Sequence, residues 1–248
     1  MMNTTRHIHR TEVTSTNTYV KELLHGGIEL PGITVVSADF QSGGRGQGGN
    51  SWESAKGENL TFSIVCHPLG IDASRQFVLS QVIALAVCET VCEYVDGVTV
   101  KWPNDIYWND RKLCGILIEC ILSGSEIRDC IIGVGLNVNQ MVFVGDAPNP
   151  VSLAQIIGFS LDRNVLLDRI VAAFVSWFAR LQDGHASEVA EAYRQHLYRR
   201  RGVYRYQDAG GAEFEAEIVD VEPSGHLLLR VSGGGIREYE FKEVKFVI

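Results

Sequence analysis

The chain offers no apolar segment at its start: residues 1–12 are polar, so no secretory leader is expected. No window reads as the roughly 18 apolar residues that a membrane span requires, so no membrane partner is expected and the cytoplasm is the expected compartment. The six cysteines (Cys66, Cys88, Cys92, Cys114, Cys120, Cys130) show no paired C-x-x-C spacing. That argues against a zinc ribbon or a disulfide framework and leaves reduced core thiols. Cys88 and Cys92, four apart, could form half a metal site, but no second pair of ligands stands nearby, and free cysteine packs as a small hydrophobe. Basic charge is scarce too: 22 Lys and Arg against 30 Asp and Glu leave a net charge of -8. A general affinity for DNA is therefore not expected, although a local basic patch could still hold a nucleotide. Internal repeats and low-complexity tracts are missing, and so is any Ser/His/Asp or Cys/His arrangement, so covalent catalysis by a side-chain nucleophile is not indicated.

What is present is an ordinary globular composition, 46% hydrophobic and 21% charged. At 248 residues the chain can hold one large domain and a small one. Residues 17–25 read as a short helix, with Ser15 or Thr16 as N-cap and Gly26-Gly27 behind it. Residues 33–39 and 59–67 read as strands on either side of a glycine-dense stretch. Apolar spacing predicts a buried helix over 75–95. Three apolar runs (98–102, 112–120 and 127–134), separated by turn residues, predict an antiparallel meander, and 165–182 and 186–198 read as amphipathic helices. Beyond Arg199-Arg200-Arg201 the pattern becomes short strands with glycine punctuation, as in a small SH3-like barrel. The expected fold class is α+β, with residues 1–199 as the large domain and 200–248 as the small one.

Four segments stand out chemically. In Gln41-Ser42-Gly43-Gly44-Arg45-Gly46-Gln47-Gly48-Gly49-Asn50-Ser51-Trp52, glycines let backbone N–H groups approach an anion while one guanidinium offers a forked donor. The G-x-x-x-x-G-K-[ST] pattern of a P-loop is absent, and a strand rather than a helix follows, which excludes a Rossmann fingerprint. A flexible connection is the plainer reading of such a loop. Lys101-Trp102-Pro103-Asn104-Asp105 is a favourable turn in its own right. It also holds a lysine and a carboxylate rigidly enough to serve a ligand, and Asp105 could bind Mg²⁺ directly or through water. Arg111-Lys112-Leu113-Cys114-Gly115-Ile116-Leu117-Ile118-Glu119 opens on a lysine and carries an in-strand glycine, a frequent mark of close ligand approach. Gly133-Val134-Gly135-Leu136-Asn137-Val138-Asn139 ends a strand in Gly and Asn, and alone reads as a bulge or turn.

Together with Ser15-Thr16-Asn17, these segments in this order resemble the biotin protein ligase family, over roughly residues 10 to 160. The resemblance implies a catalytic fold like that of class II aminoacyl-tRNA synthetases, a mixed and largely antiparallel sheet with helices on it. It implies ATP-dependent formation of biotinyl-adenylate, then transfer of biotin to a lysine of a biotin carboxyl carrier protein or domain. ATP and biotin are the implied substrates, with Mg²⁺, and the implied assembly is a monomer or homodimer. Carried over by motif, Ser15, Thr16, Asn17 and Gln41 would contact biotin. Gly44, Arg45 and Gly46 would wrap its carboxylate and the phosphate, and Lys112 would neutralise charge where biotin and AMP join. Gly115 would leave room for the ligand, Trp52 and Asn104 would lie beside the adenylate, and Asn137 would read adenine. Lys101 would reach the phosphates and Asp105 would help place the metal; no site residue is expected in the C-terminal module.

Two departures from the family pattern matter. Many relatives carry further basic residues in the loop after the Arg-Gly pair, where this chain has Gln47, Gly48, Gly49 and Asn50, so looser or differently arranged retention of the adenylate is expected. Only about ten residues precede Thr11, so the DNA-binding domain and repressor role of some relatives are not expected. The alternatives are a lipoate or octanoate protein ligase of related fold and a non-catalytic binding protein; the second would leave Arg45, Lys101, Asp105 and Lys112 without a role.

Overall fold

Residues 5–145 and 147–248 are described in a computed structural model. Seven strands form the larger sheet: β1 (Thr5–Val13), β2 (Ile33–Gln41), β3 (Leu60–Cys66), β4 (Val98–Lys101), β5 (Asp105–Trp108), β6 (Arg111–Ser123) and β7 (Glu126–Leu136), in the order β1-β2-β3-β7-β6-β5-β4. β1 runs parallel to β2, and every other pair is antiparallel. The sheet is therefore mixed and largely antiparallel, as expected. The expected meander has four strands rather than three, because the Trp102-Pro103-Asn104 turn returns the chain directly into β5.

Strand alternation explains how the middle of the sheet is covered. Val35, Ile64 and Ile132 join the main core, whereas their neighbours Val36, Val65 and Ile131 join a second cluster with Val20. Successive side chains point to opposite faces, so strands buried on both sides need apolar residues at every position. Helix α1 (Thr16–His25) covers one face; α2 (Phe77–Cys92), α4 (Arg163–Gln182) and α5 (Ala186–Gln195) cover the other. Short α3 (Leu153–Ile157) opens on a capping box between Ser152 and Gln155.

Against the expectation that no span-like window exists, Ala73–Cys92 is long and apolar enough by composition to cross a membrane. It lies inside the molecule between the sheet, α4 and α5, which accounts for its apolarity on all sides. All six cysteines are free; Cys92 is exposed and Cys120 half-buried, while the other four are buried as expected.

The second sheet contains β8 (Tyr204–Asp208), β9 (Glu213–Val221), β10 (Leu227–Val231), β11 (Ile236–Tyr239) and β12 (Val244–Phe246), in the order β11-β10-β9-β8-β12. It is antiparallel throughout, in keeping with an SH3-like module. Its β9–β10 turn rests on the larger unit: the Trp102 indole N–H donates to the Gly225 carbonyl at 2.8 Å, and Gly225 lies against the Phe77 ring. On the other side Phe241 packs on Trp102, with ring centres 6.1 Å apart.

Candidate functional site

The cavity's floor is the α1 face of β6 and β7, where α1 stops short. On this face the paired positions are Gly115 with Gly135 and Leu117 with Gly133. Three of the four have no side chain, so the sheet recedes into a cavity of about 650 Å³. A Cβ at Gly133 would stand 2.5 Å from Asn17 Oδ1, and one at Gly135 2.5 Å from Trp52 Nε1. These glycines are the space in which α1 and Trp52 sit.

At one end lies the start of α1. Ser15, Thr16 and Asn17 are all buried. Gln41 Oε1 accepts from the Thr16 backbone N–H at 2.7 Å and from its hydroxyl at 3.2 Å. The Ser63 hydroxyl lies 2.7 Å from Thr16 Oγ1 and 2.6 Å from Asn17 Oδ1. Asn17 Nδ2 donates to Glu119 Oε2 at 2.9 Å. The result is a buried wall of fixed donors and acceptors, suited to a neutral polar ring.

The glycine stretch folds back on itself. Trp52 N–H donates to Gly44 O at 3.0 Å, Gly46 N–H to Asn50 O at 2.6 Å, and Arg45 bridges Ser51 as in a strand pair. A Cβ at Gly44 would stand 2.5 Å from Trp52 O, which is why that position tolerates nothing larger. The fold-back lays the Trp52 indole over Gly115 and Gly135, where its N–H is buried without a partner. An orphaned buried donor costs free energy of about 1–3 kcal/mol, so this face is primed for an acceptor.

Charge converges here. Arg45, Lys101, Lys112 and Lys242 line the cavity, and among the described residues Asp105 is the one acid on its wall. Lys112 Nζ lies 2.7 Å from Asp105 Oδ2. Arg45 Nη2 lies 3.2 Å from Glu119 Oε2, and Lys21 Nζ 2.7 Å from Glu119 Oε1. Burial opposes ionisation of Glu119, but the Lys21 and Asn17 hydrogen bonds and the Arg45 charge outweigh it and hold its carboxyl below the usual range. Lys101 Nζ sits 5.0 Å from the Tyr107 ring centre and 5.2 Å from that of Phe246. Burial lowers its pKa, Asp105 opposes that, and Lys112 and Arg199 add to it. A molecule of net charge -8 thus concentrates cations in one recess, which is a site for an anion.

Of the residues singled out by sequence, Ser15, Thr16, Asn17, Gln41, Arg45, Gly46, Trp52, Lys101, Asn104, Asp105, Lys112 and Gly115 all line this cavity. Gly44 and Asn137 do not. Gly44 acts behind the wall, and Asn137 turns inward at the end of β7, donating from Nδ2 to Val151 O at 3.1 Å while its Oδ1 is buried unpartnered. Phe241 and Lys242 correct the expectation that the C-terminal module contributes nothing: both stand on the cavity wall. Glu119 was also missed, although period-2 alternation from Gly115 through Leu117 puts it on the cavity face. No local signal marks Lys242, which sits in a polar tail between Phe241 and Glu243. One grouping of three metal-capable side chains occurs among the described residues, Glu222, His226 and Glu238, and none of them lines the cavity.

Residues 9–137 match the biotin/lipoate A/B protein ligase family. The biotin–[acetyl-CoA-carboxylase] ligase of Paracoccus denitrificans is 31% identical over 227 residues, 89% of this chain and 92% of that protein. The bifunctional ligase/repressor BirA of Bacillus subtilis is 33% identical over 173 residues, 67% of this chain and 52% of that protein. A solved biotin protein ligase from Aquifex aeolicus, in complex with biotin and ATP, superposes with a TM-score of 0.79 over 98% of this chain and 99% of that one. At 24% identity that likeness concerns the fold.

Proposed function

The chain belongs to the biotin/lipoate A/B protein ligase family, and from that premise we propose that it is a biotin protein ligase, activating biotin with ATP and passing the biotinyl group to a carrier lysine. The observation that carries this reading is the convergence of Arg45, Lys101 and Lys112 beside the buried polar wall of Ser15, Thr16, Asn17 and Gln41. One end suits a neutral ureido ring and the other a carboxylate meeting phosphates.

The chemistry follows from charge. A carboxylate is a poor acyl donor because its leaving group would be oxide. A biotin carboxylate oxygen therefore attacks the α-phosphorus of ATP, the α–β phosphoanhydride bond breaks, and pyrophosphate leaves with the bonding pair. Two anions must meet, and fixed cations in a recessed site offset their repulsion. In this reading Arg45 and Lys112 face the junction of biotin and phosphate, with the backbone of Gly44 and Gly46 wrapped around it. Lys101 faces the phosphates, Gly115 leaves room for the ligand, and Trp52 and Asn104 lie beside the adenylate. Asn137 reads adenine only if its buried amide turns out from Val151. In the second half-reaction the neutral amine of an acceptor lysine attacks the anhydride carbonyl. AMP leaves, and the amine gives up a proton as the amide forms.

The lining fits a Mg²⁺ that takes one carboxylate, Asp105, from the described residues of the wall and its other ligands from phosphates and water. Bound there, the ion would offset charge on the phosphates; Asp105 would have to share its carboxylate with Lys112. The acceptor that fits the relatives' names is the biotin carrier of a biotin-dependent carboxylase, such as acetyl-CoA carboxylase.

The deciding experiment is pyrophosphate release from ATP and Mg²⁺ by the purified protein with biotin, lipoate or octanoate. Release with biotin alone is expected. Release with lipoate or octanoate alone would move the chain to the sister activity, and no release with any acid would leave a binding protein.

A further inference from the structure

We propose that Lys242, carried by the five-stranded module, is a phosphate-binding residue for ATP and supplies the cation that the glycine loop itself lacks. The inference rests on the ATP-dependent reading above.

Between Gly43 and Trp52 the loop has one basic residue, Arg45, followed by Gln47, Gly48, Gly49 and Asn50. Gly48 adopts φ +69, and the space a side chain would take there is already filled. A Cβ would stand 2.6 Å from Lys242 Cε, with Nζ nearer still. The lysine from the distant end of the chain thus occupies the gap that the glycine leaves in the loop.

Lys242 is held there by its own backbone. It adopts φ +76, a left-handed conformation that L-residues other than Asn and Asp seldom take. The turn is closed by Glu243 N–H donating to Glu240 O at 3.1 Å and by Glu240 N–H donating to Glu243 Oε2 at 2.8 Å. Phe241, just before it, packs on Trp102, and Val244, two residues after it, is buried in β12. The residue is therefore anchored on both sides with its ammonium at the loop.

Its charge is uncommitted. Arg45 and Lys112 each face a carboxylate within the protein, Glu119 and Asp105. Lys242 has no ion-pair partner among the described residues, although Glu240 and Glu243 are its near neighbours. Glu243 is turned to the Glu240 amide, and Glu240 lies 3.9 Å from His226. An unpaired ammonium on the wall of a recess that receives a polyanion is a phosphate contact by its chemistry: a flexible point charge needing no fixed fork geometry.

Direct titration of the full chain tests this, using ATP, adenosine and biotin separately. Lys242→Met keeps most of the stem and removes the charge. It is expected to weaken ATP about tenfold, the size of one charge-assisted hydrogen bond, while adenosine and biotin affinities stay within about twofold. Lys242→Arg should restore most of the ATP affinity, and Gln47→Arg in the Lys242→Met background should restore part of it by returning a cation to the loop. Unchanged ATP binding in Lys242→Met overturns the proposal, as does a loss shared equally by adenosine and biotin, which would mean that the stem only props the loop. Biotin-dependent pyrophosphate release by the unaltered protein is scored separately. If that fails while ATP binding still depends on Lys242, the ligase reading fails and the phosphate contact stands.

Discussion

At the residue scale two of the four cations on the cavity wall, Arg45 and Lys112, are held by internal acids. Lys112 leans on Asp105, and Arg45 shares Glu119 with Lys21. Lys112→Ala is expected to cut adenylate formation by at least about a hundredfold, in line with removal of one preorganised electrostatic contact. The fold should survive, because the side chain is partly exposed and its one partner is also on the cavity wall. Near-normal pyrophosphate exchange by a folded variant would remove Lys112 from the mechanism. Lys101 makes a different prediction. Burial lowers its pKa from the usual 10.5, so the folded protein gives up this proton before the unfolded chain does. The contribution of Lys101 to stability therefore rises with pH between the lowered value and 10.5. ATP favours the charged form, so ATP affinity should fall as pH rises through that same window. A pH profile of kcat/KM for ATP should show this alkaline limb, and Lys101→Arg, which stays charged, should lack it. A limb unchanged in Lys101→Arg would assign the titration elsewhere. These charged residues were legible because their motifs have unusual composition. Glu119 and Ser63 were not: what makes them important is the register that puts them beside Asn17, and register is decided by the sheet.

At the element scale, the readable parts were those whose burial leaves a period. β2 and β3 fall within a residue or two of where their apolar runs predict, and the short strands expected beyond Arg201 form the second sheet. β1 escaped notice because it is an edge strand with mostly exposed side chains: only Ile8 and Val13 are apolar within Thr5–Val13, and its pairing to β2 is through the backbone. Short α3 escaped for a related reason, since five residues are too few to show a helical period. The glycine loop was identified as a loop, but its fold-back through Arg45 and Ser51 could not be read from a glycine tract. That fold-back has few backbone bonds and no buried side chains between Gln47 and Gly49. Limited proteolysis should cut within residues 43–51 in the empty protein and be suppressed by biotin with ATP, because ordering over ligand removes the open conformers. Equal cutting with and without ligands would mean that the loop does not close over them.

At the scale of the whole molecule, the cavity belongs to both sheets. We keep residues 1–199 and 200–248 as our proposed division into folding units, yet Phe241 and Lys242 line the cavity and the Lys101 ammonium lies over the Phe246 ring. Sequence gave each unit its own pattern but carried no sign of their docking, because the contact is one turn and a few rings rather than a periodic face. That docking can be loosened without touching a residue of the cavity wall. Gly225 sits at φ +98, and a Cβ there would stand 2.9 Å from the Phe77 ring, so Gly225→Ala is both strained and sterically blocked. The β9–β10 turn must shift, and with it the acceptor for the Trp102 indole. The expected outcome is an ATP affinity lowered several-fold with biotin affinity nearly unchanged, since Thr16, Asn17 and Gln41 are held by bonds among α1, β2, β3 and β6 and not by the module. Parallel titrations of ATP and biotin into Gly225→Ala check it. Equal loss of both ligands would mean that the two sheets support one undivided site, and loss of neither would mean that the module can move without disturbing the phosphate end.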